Sequence, residues 1–490
     1  MVDALDSKSC EPCSWEFKSP RPYQFFEVVS MQPISEEENR YLSLMEKHSD
    51  RKDVVLICCN NLSILYYNAG RLDEARRYAD EALKLDAHHP AAHINSGNLF
   101  YVNKDYQRAL DCYLKADAVK ENYAIAKINL ANTYLELKDF HLAVDYACTV
   151  IALEPDNSMA HVILANAQLE LSKNDKAIES LSKAAKLDTK NPWIYNSLSQ
   201  AYQNKNDVAN ALMYAWKAVE LSPDNDAHHI NFGYLIYELN LLFEEKNNEI
   251  LEYAKKWVEK FPENGIAKHM SDALLGNLSD EKNNRANAFY VSGIFDVFAE
   301  HFDSVLKGLD YRVPEFIESF MKEFYTKNTQ LKILDIGCGT GLCGAFLKDY
   351  AALLEGVDLS EKMLQQASEK NFYHQLHRAD LEDFLSAKTQ NYNLIISADV
   401  FTYFGDLSAA FTAAGKSLKP NGRMIFSFSE YAESDEKGFL LHASGRFLHS
   451  RKYVENCLNS AGFSVEKMEP KTLRMENDKP VLGYIVSARV

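Results

Sequence analysis

The sequence predicts a multidomain chain, an all-α solenoid followed by an α/β domain on a seven-stranded, mostly parallel sheet. Three observations carry this expectation. The 490 residues are about three times the ~150 expected of one domain. Small residues recur every 34 positions through the first half. From about Asn283 onward, short apolar segments alternate with helical ones, the pattern of a parallel sheet covered on both faces.

Composition narrows the function classes. With 47% hydrophobic and 25% charged residues the chain is globular, and disordered and collagen-like readings fall away. The net charge of −17 disfavours a nucleic-acid partner, which needs clustered Lys and Arg. Nine scattered cysteines do not make a disulfide scaffold. The start Met1-Val-Asp-Ala-Leu-Asp has neither a basic nor an apolar signal region, and no run of about 18 apolar residues occurs, so the expected location is cytoplasmic, with no membrane span. Cys10 and Cys13 form a lone CxxC without further ligands at metal-site spacing, so no metal is expected.

The repeat defines the first domain. Ala75, Ala109, Ala143, Ala177 and Ala211 form one column, and Ala82, Ala116, Val150, Ala184 and Ala218 a second. A third reads Ser63, Gly97, Ala131, Ala165, Ser199 and Gly233. Small residues at fixed places in two helices per unit let the backbones approach while larger ones fill the gaps. The spacing resembles the tetratricopeptide repeat (TPR), with six units over 56–264, the last made irregular by an insert near Leu241–Asn248. An end unit is often atypical because one of its faces must meet something other than a repeat, here the next domain. The resemblance implies a concave face made by the first helices. Asn61, Asn95 and Asn129, with Asn98, Asn132 and Asn166, recur there. Carboxamides can hold an extended peptide backbone or simply tie neighbouring helices together. Residues 1–55 form a leader with a Pro-rich stretch from Pro20 to Pro33 and one helix, Glu36–Glu46, capped by Ser35.

Residues 265–330 read as a linker with the first helices of the second domain, and 331–490 as the domain itself. Expected strands are Lys332–Ile336, Leu354–Asp358, His374–Ala379, Tyr392–Ala398, Gly422–Ser427, Phe463–Pro470 and Leu482–Ala488, the last two a hairpin. The first runs into Asp335-Ile-Gly337-Cys338-Gly339-Thr-Gly341, and the second ends at Asp358, where a carboxylate accepts from ribose hydroxyls. A dinucleotide fingerprint G-x-G-x-x-G would need glycine at Leu342, so it is absent.

The D-x-G-x-G-x-G that stands instead resembles motif I of class I methyltransferases, which bind S-adenosylmethionine (SAM) and release S-adenosylhomocysteine. The resemblance implies a Rossmann-like domain in which Asp335 orients the methionine end. Asp358 with Leu359 then holds the ribose, and Asp380 with Leu381 the adenine. Asp399 and Val400 lie beside the reactive methyl, and Leu418-Lys-Pro-Asn-Gly422 resembles the turn before the fifth strand. Phe295-Asp-x-Phe-Ala-x-x-Phe302, Tyr311-Arg312-x-Pro314 and Ser444-Gly-Arg446-x-x-His449 resemble a group of predicted methyltransferases carrying TPR repeats, and the first of these also resembles enzymes that methylate a malonyl carboxylate. Tyr311 and Arg312 are further candidates for the SAM pocket. Phe295, Phe298 and Phe302 lie at helical spacing, the spacing of core packing.

The motif after the fourth strand, Asp399-Val-Phe-Thr-Tyr403-Phe, lacks the N/D-P-P-Y/F and Pro-Cys arrangements of other acceptor classes, which leaves a carboxylate, hydroxyl or amine. The insert Tyr431–Tyr453 is the expected acceptor lid. Within it Arg446 can hold an anionic acceptor and His449 can take its proton, while Tyr403 can orient it. Three functions stay open: a methyltransferase whose repeats recruit a protein or peptide, a small-molecule methyltransferase whose repeats serve assembly, and a non-catalytic SAM-binding adaptor. Residues 285–490 carry 23 basic and 27 acidic groups, leaving −13 on residues 1–284, which suits a basic partner at the repeats. Self-association into an oligomer is compatible with a solenoid.

Overall fold

A computed structural model describes residues 35–242, 248–276, 285–328, 330–431, 438–476 and 479–490. The Cys10/Cys13 pair, the Pro-rich leader, most of the expected insert in the sixth unit and the Ser35 cap side chain lie outside what is described. The chain divides into two compact units, one ending at Ser222 and the other beginning at Pro223.

In the first unit the helix Ser35–Lys47 precedes five helical pairs. Lys52–Asn68 pairs with Leu72–Leu85 and Pro90–Val102 with Tyr106–Val119, and the series runs on to Pro192–Gln203 with Val208–Leu221. Each alanine of the first column is fully buried, because the first helix of its own pair lies against it. Ser63 Oγ donates to the Ala75 carbonyl at 2.9 Å and Ser199 Oγ to that of Ala211 at 2.8 Å. A Cβ on Gly97, at the equivalent position, would meet the Tyr113 ring at 2.4 Å. Each pair turns on one left-handed residue, Gly70, Lys104, Lys138, Ser172 and Asn206, again 34 apart. Asp105, Asp139 and Asp207 follow it and cap the second helices.

The sixth pair, Asp226–Leu242 and Asn248–Lys260, belongs with the second unit, so the division falls earlier than the expected boundary at 264/265. Its Ile250, Ala254 and Trp257 are fully buried. The helix Asp226–Leu242 packs on Gly265–Leu275 and on Ala288–Phe298 as well as on its own partner. The irregular unit thus serves as the foundation of the domain that follows.

The sheet of this unit comprises β1 (Leu331–Ile336), β2 (Ala351–Asp358), β3 (Gln375–Arg378), β4 (Tyr392–Ser397) and β5 (Leu418–Ser429). β6 (Phe439–Leu441) and β7 (Phe447–His449) form a separate hairpin, and β8 (Ser464–Glu476) and β9 (Lys479–Arg489) complete the sheet. Its order is β3-β2-β1-β4-β5-β9-β8, with β1 to β5 parallel and β9 antiparallel to both neighbours. The seven-stranded, mostly parallel sheet and its closing hairpin are as the sequence predicts. The Leu418–Gly422 segment differs, being absorbed into β5 with a register shift against β4, and Asn421 takes the left-handed turn. Apolar cores cover both faces, one around Phe401, Phe411 and Phe426, the other around Ile317, Leu347 and Ile333. Register sets Asp335 opposite Gly356 and Ile396, so the carboxyl ends of β1, β2 and β4 come level. Ligands of such sheets bind there.

Candidate functional site

A single cavity opens at those strand ends. Its floor is Asp335, Gly337, Cys338, Gly339, Asp358, Leu359, Ala398, Asp399 and Val400. Phe295, Phe302, Leu306, Leu309 and Tyr311 from the preceding helices line it as well. Phe298, the third of the spaced phenylalanines, instead meets Tyr234 edge to face.

The loop after β1 is shaped by main-chain geometry. Gly337 has φ +63°, and a Cβ there would meet Val400 Cγ2 at 2.2 Å. Only glycine meets both demands. Over Gly339 a Cβ would touch nothing nearer than Phe302 at 3.8 Å, so the loop leaves open space for a ligand. The Gly339 amide donates to Asp358 Oδ2 and the Ser360 amide to Oδ1, both at 2.9 Å. The end of β2 is therefore locked to the loop, and each carboxylate oxygen retains acceptor capacity for a ribose hydroxyl. Burial raises the Asp358 carboxyl above its usual range, against the pull of those amides.

Asp335 is 1% exposed. Burial raises its carboxyl to about 7, opposed by the Tyr373 hydroxyl, which donates to Oδ2 at 2.7 Å. Asp399 stands at φ +61° two residues past the end of β4, a conformation that costs a residue with a Cβ about 1–2 kcal/mol. Its amide donates to Ser427 Oγ at 2.9 Å, and Arg474 Nη1 donates to its Oδ2 at 2.7 Å. Its Oδ1 is buried with no partner among the described residues. Open space over the loop, a ribose-level carboxylate and this orphaned oxygen all fit a nucleoside cofactor with a charged tail.

The far end of the cavity is ionic. Arg446 and Arg474 line it with Tyr403. Glu476 Oε1 accepts from Arg474 Nε at 2.7 Å and from Arg446 Nη1. Burial alone would raise the Glu476 carboxyl, but the two guanidinium groups hold it at about 2. Tyr403, raised by burial, interacts with Arg446.

Four expected site residues stand elsewhere. His449 is fully buried on β7, its Nε2 hydrogen-bonded to the Gly405 carbonyl at 3.1 Å and its ring stacked on Tyr453. It does not line the cavity, and burial lowers it to about 4, so it stands in this structure as a core residue. Arg312 faces outward over Phe316 and pairs with Glu315. Asp380 caps the helix Leu381–Ser386 and is ion-paired to Arg285, so its neighbours Ala379 and Leu381 line the cavity without it. Gly341 at φ +86° makes room for the Tyr373 ring rather than for a ligand. Sequence reasoning missed Arg285, Tyr373, Arg474 and Glu476. Arg474 is 2% exposed beside fully buried Leu473, but Glu466, Lys467, Glu469 and Lys471 precede it on the same strand, so a further charge there carried no signal.

In the first unit Asn95 donates to the Asn60 carbonyl at 3.2 Å, and Asn98 Oδ1 accepts from Tyr113 at 2.8 Å and Asn129 at 3.2 Å. These three asparagines tie helices together. Asn95 and Asn98 also line a groove with Ile64, Ile94 and Ile125. Asn61, Asn132 and Asn166 are half-buried.

A parallel Rossmann-like sheet with this loop and this acid defines a nucleoside-cofactor domain. More particularly, residues 333–422 match the family model of a methyltransferase domain, and residues 60–123, 124–157, 165–206 and 194–225 match models of the tetratricopeptide repeat. The chain thus joins TPR repeats to a methyltransferase domain. It is similar to the biotin biosynthesis bifunctional protein BioHC of Saccharophagus degradans, 38% identical over 100 residues, or 20% of this chain and 18% of that protein. It is also similar to the malonyl-[acyl-carrier protein] O-methyltransferase of Priestia megaterium, 33% identical over 140 residues, or 27% of this chain and 48% of that protein. The chain therefore spans less than half the length of these two relatives. A solved S-adenosylmethionine-dependent methyltransferase from Mesorhizobium loti is similar at 22% identity and TM-score 0.30, covering 35% of this chain and 96% of that one.

Proposed function

We propose that this chain transfers a methyl group from SAM to an oxygen acceptor, a carboxylate before a hydroxyl, while its repeats recruit the protein or peptide that carries the acceptor. The observation behind this reading is the cavity, in which the open glycine loop, Asp358 and the unpartnered Asp399 oxygen share one space with two arginines. SAM would supply an electrophilic methyl on a sulfonium, lost to the acceptor as the carbon–sulfur bond breaks. The chain's own work is positioning and water exclusion. Asp358 and the loop amides hold the ribose end, Asp335 the ammonium end, and Phe295 with Phe302 closes the apolar side. Arg446 gives Glu476 part of its fork and has N–H donors left for an anionic acceptor.

With His449 held in the core, a carboxylate suits the site better than an amine, because it is already ionised at neutral pH and needs no base. The name of the Priestia megaterium relative, an O-methyltransferase, agrees with attack by oxygen. The groove beside Asn95 and Asn98 and the acidic balance of residues 1–284 support a basic peptide partner. No described helix is long and apolar enough to cross a membrane. Cytoplasm is the compartment we propose from cysteine usage.

The test is cell extract with tritiated SAM, the chain and its Asp335→Ala form. Label in a protein band that needs the intact chain is expected. Label only in small molecules would leave the repeats an assembly role, and no Asp335-dependent label would remove the enzyme reading.

A further inference from the structure

Tyr373, between the helix Glu361–Glu369 and β3, belongs to no motif. Its side chain nonetheless converges with three glycines. A Cβ on Gly341, Gly344 or Gly356 would come within 2.9, 2.7 and 3.0 Å of its ring. Those glycines are the space the ring occupies. From there the hydroxyl reaches Asp335 Oδ2 at 2.7 Å. We propose that Tyr373 is a positioning residue, which fixes the Asp335 carboxyl beneath the glycine loop and favours its charged form to receive the ammonium group of a bound amino-acid tail. This rests on the SAM reading above.

The chemistry is directional. An O–H that donates to a carboxylate favours the charged form, and burial favours the neutral one. At Asp335 the two oppose each other near neutrality. The titratable groups around it are Tyr373, Asp358 from β2, Tyr311 from the covering segment, and Cys338 and Cys343 from the loop. None of them is a cation, so the tyrosine hydroxyl is the donor that stabilises the carboxylate among these groups. Without it Asp335 holds its proton to higher pH.

The experiment compares S-adenosylhomocysteine binding by calorimetry in the full chain and in Tyr373→Phe, which keeps the ring against the glycines and hence the loop. About fivefold to tenfold weaker binding is expected near pH 7, with the ratio of the two Kd values shrinking toward one above about pH 9. Equal affinity at all pH overturns the proposal, and so does a loss independent of pH, the mark of mere packing. Should the unsubstituted chain bind no S-adenosylhomocysteine, the SAM reading falls. The carboxyl of Asp335 is then followed by 13C NMR, assigned through Asp335→Asn. A higher midpoint in Tyr373→Phe supports the positioning role, and an unchanged one overturns it.

Discussion

The two ends of the cavity are built by different means. At the cofactor end the recognising groups are main-chain amides, positive-φ glycines and carboxylates fixed at strand ends, all within the residues 335–360. At the acceptor end they are side chains drawn from the loop after β4, the turn after β6, and β8, held by a chain of ion pairs from Asp399 through Arg474 and Glu476 to Arg446. The first end tolerates little change in shape and the second little change in charge. Substitutions at the two ends should therefore separate cofactor affinity from fold stability.

The largest effect is expected at Gly337. Gly337→Ala places a Cβ 2.2 Å from Val400 Cγ2 in a left-handed conformation. Strain of about 1–2 kcal/mol and overpacking of about 1–3 kcal/mol fall on the loop itself. SAM binding by calorimetry should weaken about 100-fold or more, with the repeats still folded by circular dichroism. Retained affinity would mean that the loop is not the cofactor cradle.

Next comes Glu476→Gln, which leaves two guanidinium groups without one shared anion. Breaking such a buried pair costs about 3 kcal/mol, less whatever the retained carboxamide oxygen recovers. The carboxylate sits at about 2, so its stabilising contribution is present above about pH 4.5 and lost as pH falls toward 2. Chemical denaturation at pH 7 should show the loss in the transition of the unit beginning at Pro223, while the Kd for SAM stays within about twofold. A large change in SAM affinity would merge the two ends and break the comparison.

The same contrast explains what the sequence made legible. Where the backbone recognises, the residues are adjacent in the chain and their types are forced, so strand, glycine loop and acid could be read together. The repeat columns were legible for a like reason, since helix contact admits only small residues at Ala75 and its equivalents. The left-handed hinge at Lys104, Lys138, Ser172 and Asn206 has the same period but hides, because no glycine marks it after Gly70. Arg446 finds Glu476, 30 residues further along the chain, a pairing decided by the long β8–β9 hairpin and not by sequence distance. Asp380 matched a motif and still turned toward Arg285, 95 residues away, which only the tertiary fold brings near.

His449 gives the smallest effect and the most direct check on the acceptor end. As a core residue it should leave turnover at neutral pH unchanged when replaced in His449→Gln, whose carboxamide can still donate to the Gly405 carbonyl. Its folded value of about 4 lies below the ordinary ~6.5, so the unfolded chain takes up the proton first as pH falls. Stability from the neutral ring is complete above about 6.5 and declines between about 6.5 and 4. Urea midpoints at pH 7.5 and 5 should therefore lie closer together in His449→Gln, by about 1–2 kcal/mol of stability. His228 and His269 are also lowered to about 4 by burial and lie in the same unit, so that unit should retain part of its acid sensitivity in the variant. Lost turnover with intact cofactor binding would return His449 to the reaction, and would require the β6–β7 hairpin to open toward the cavity.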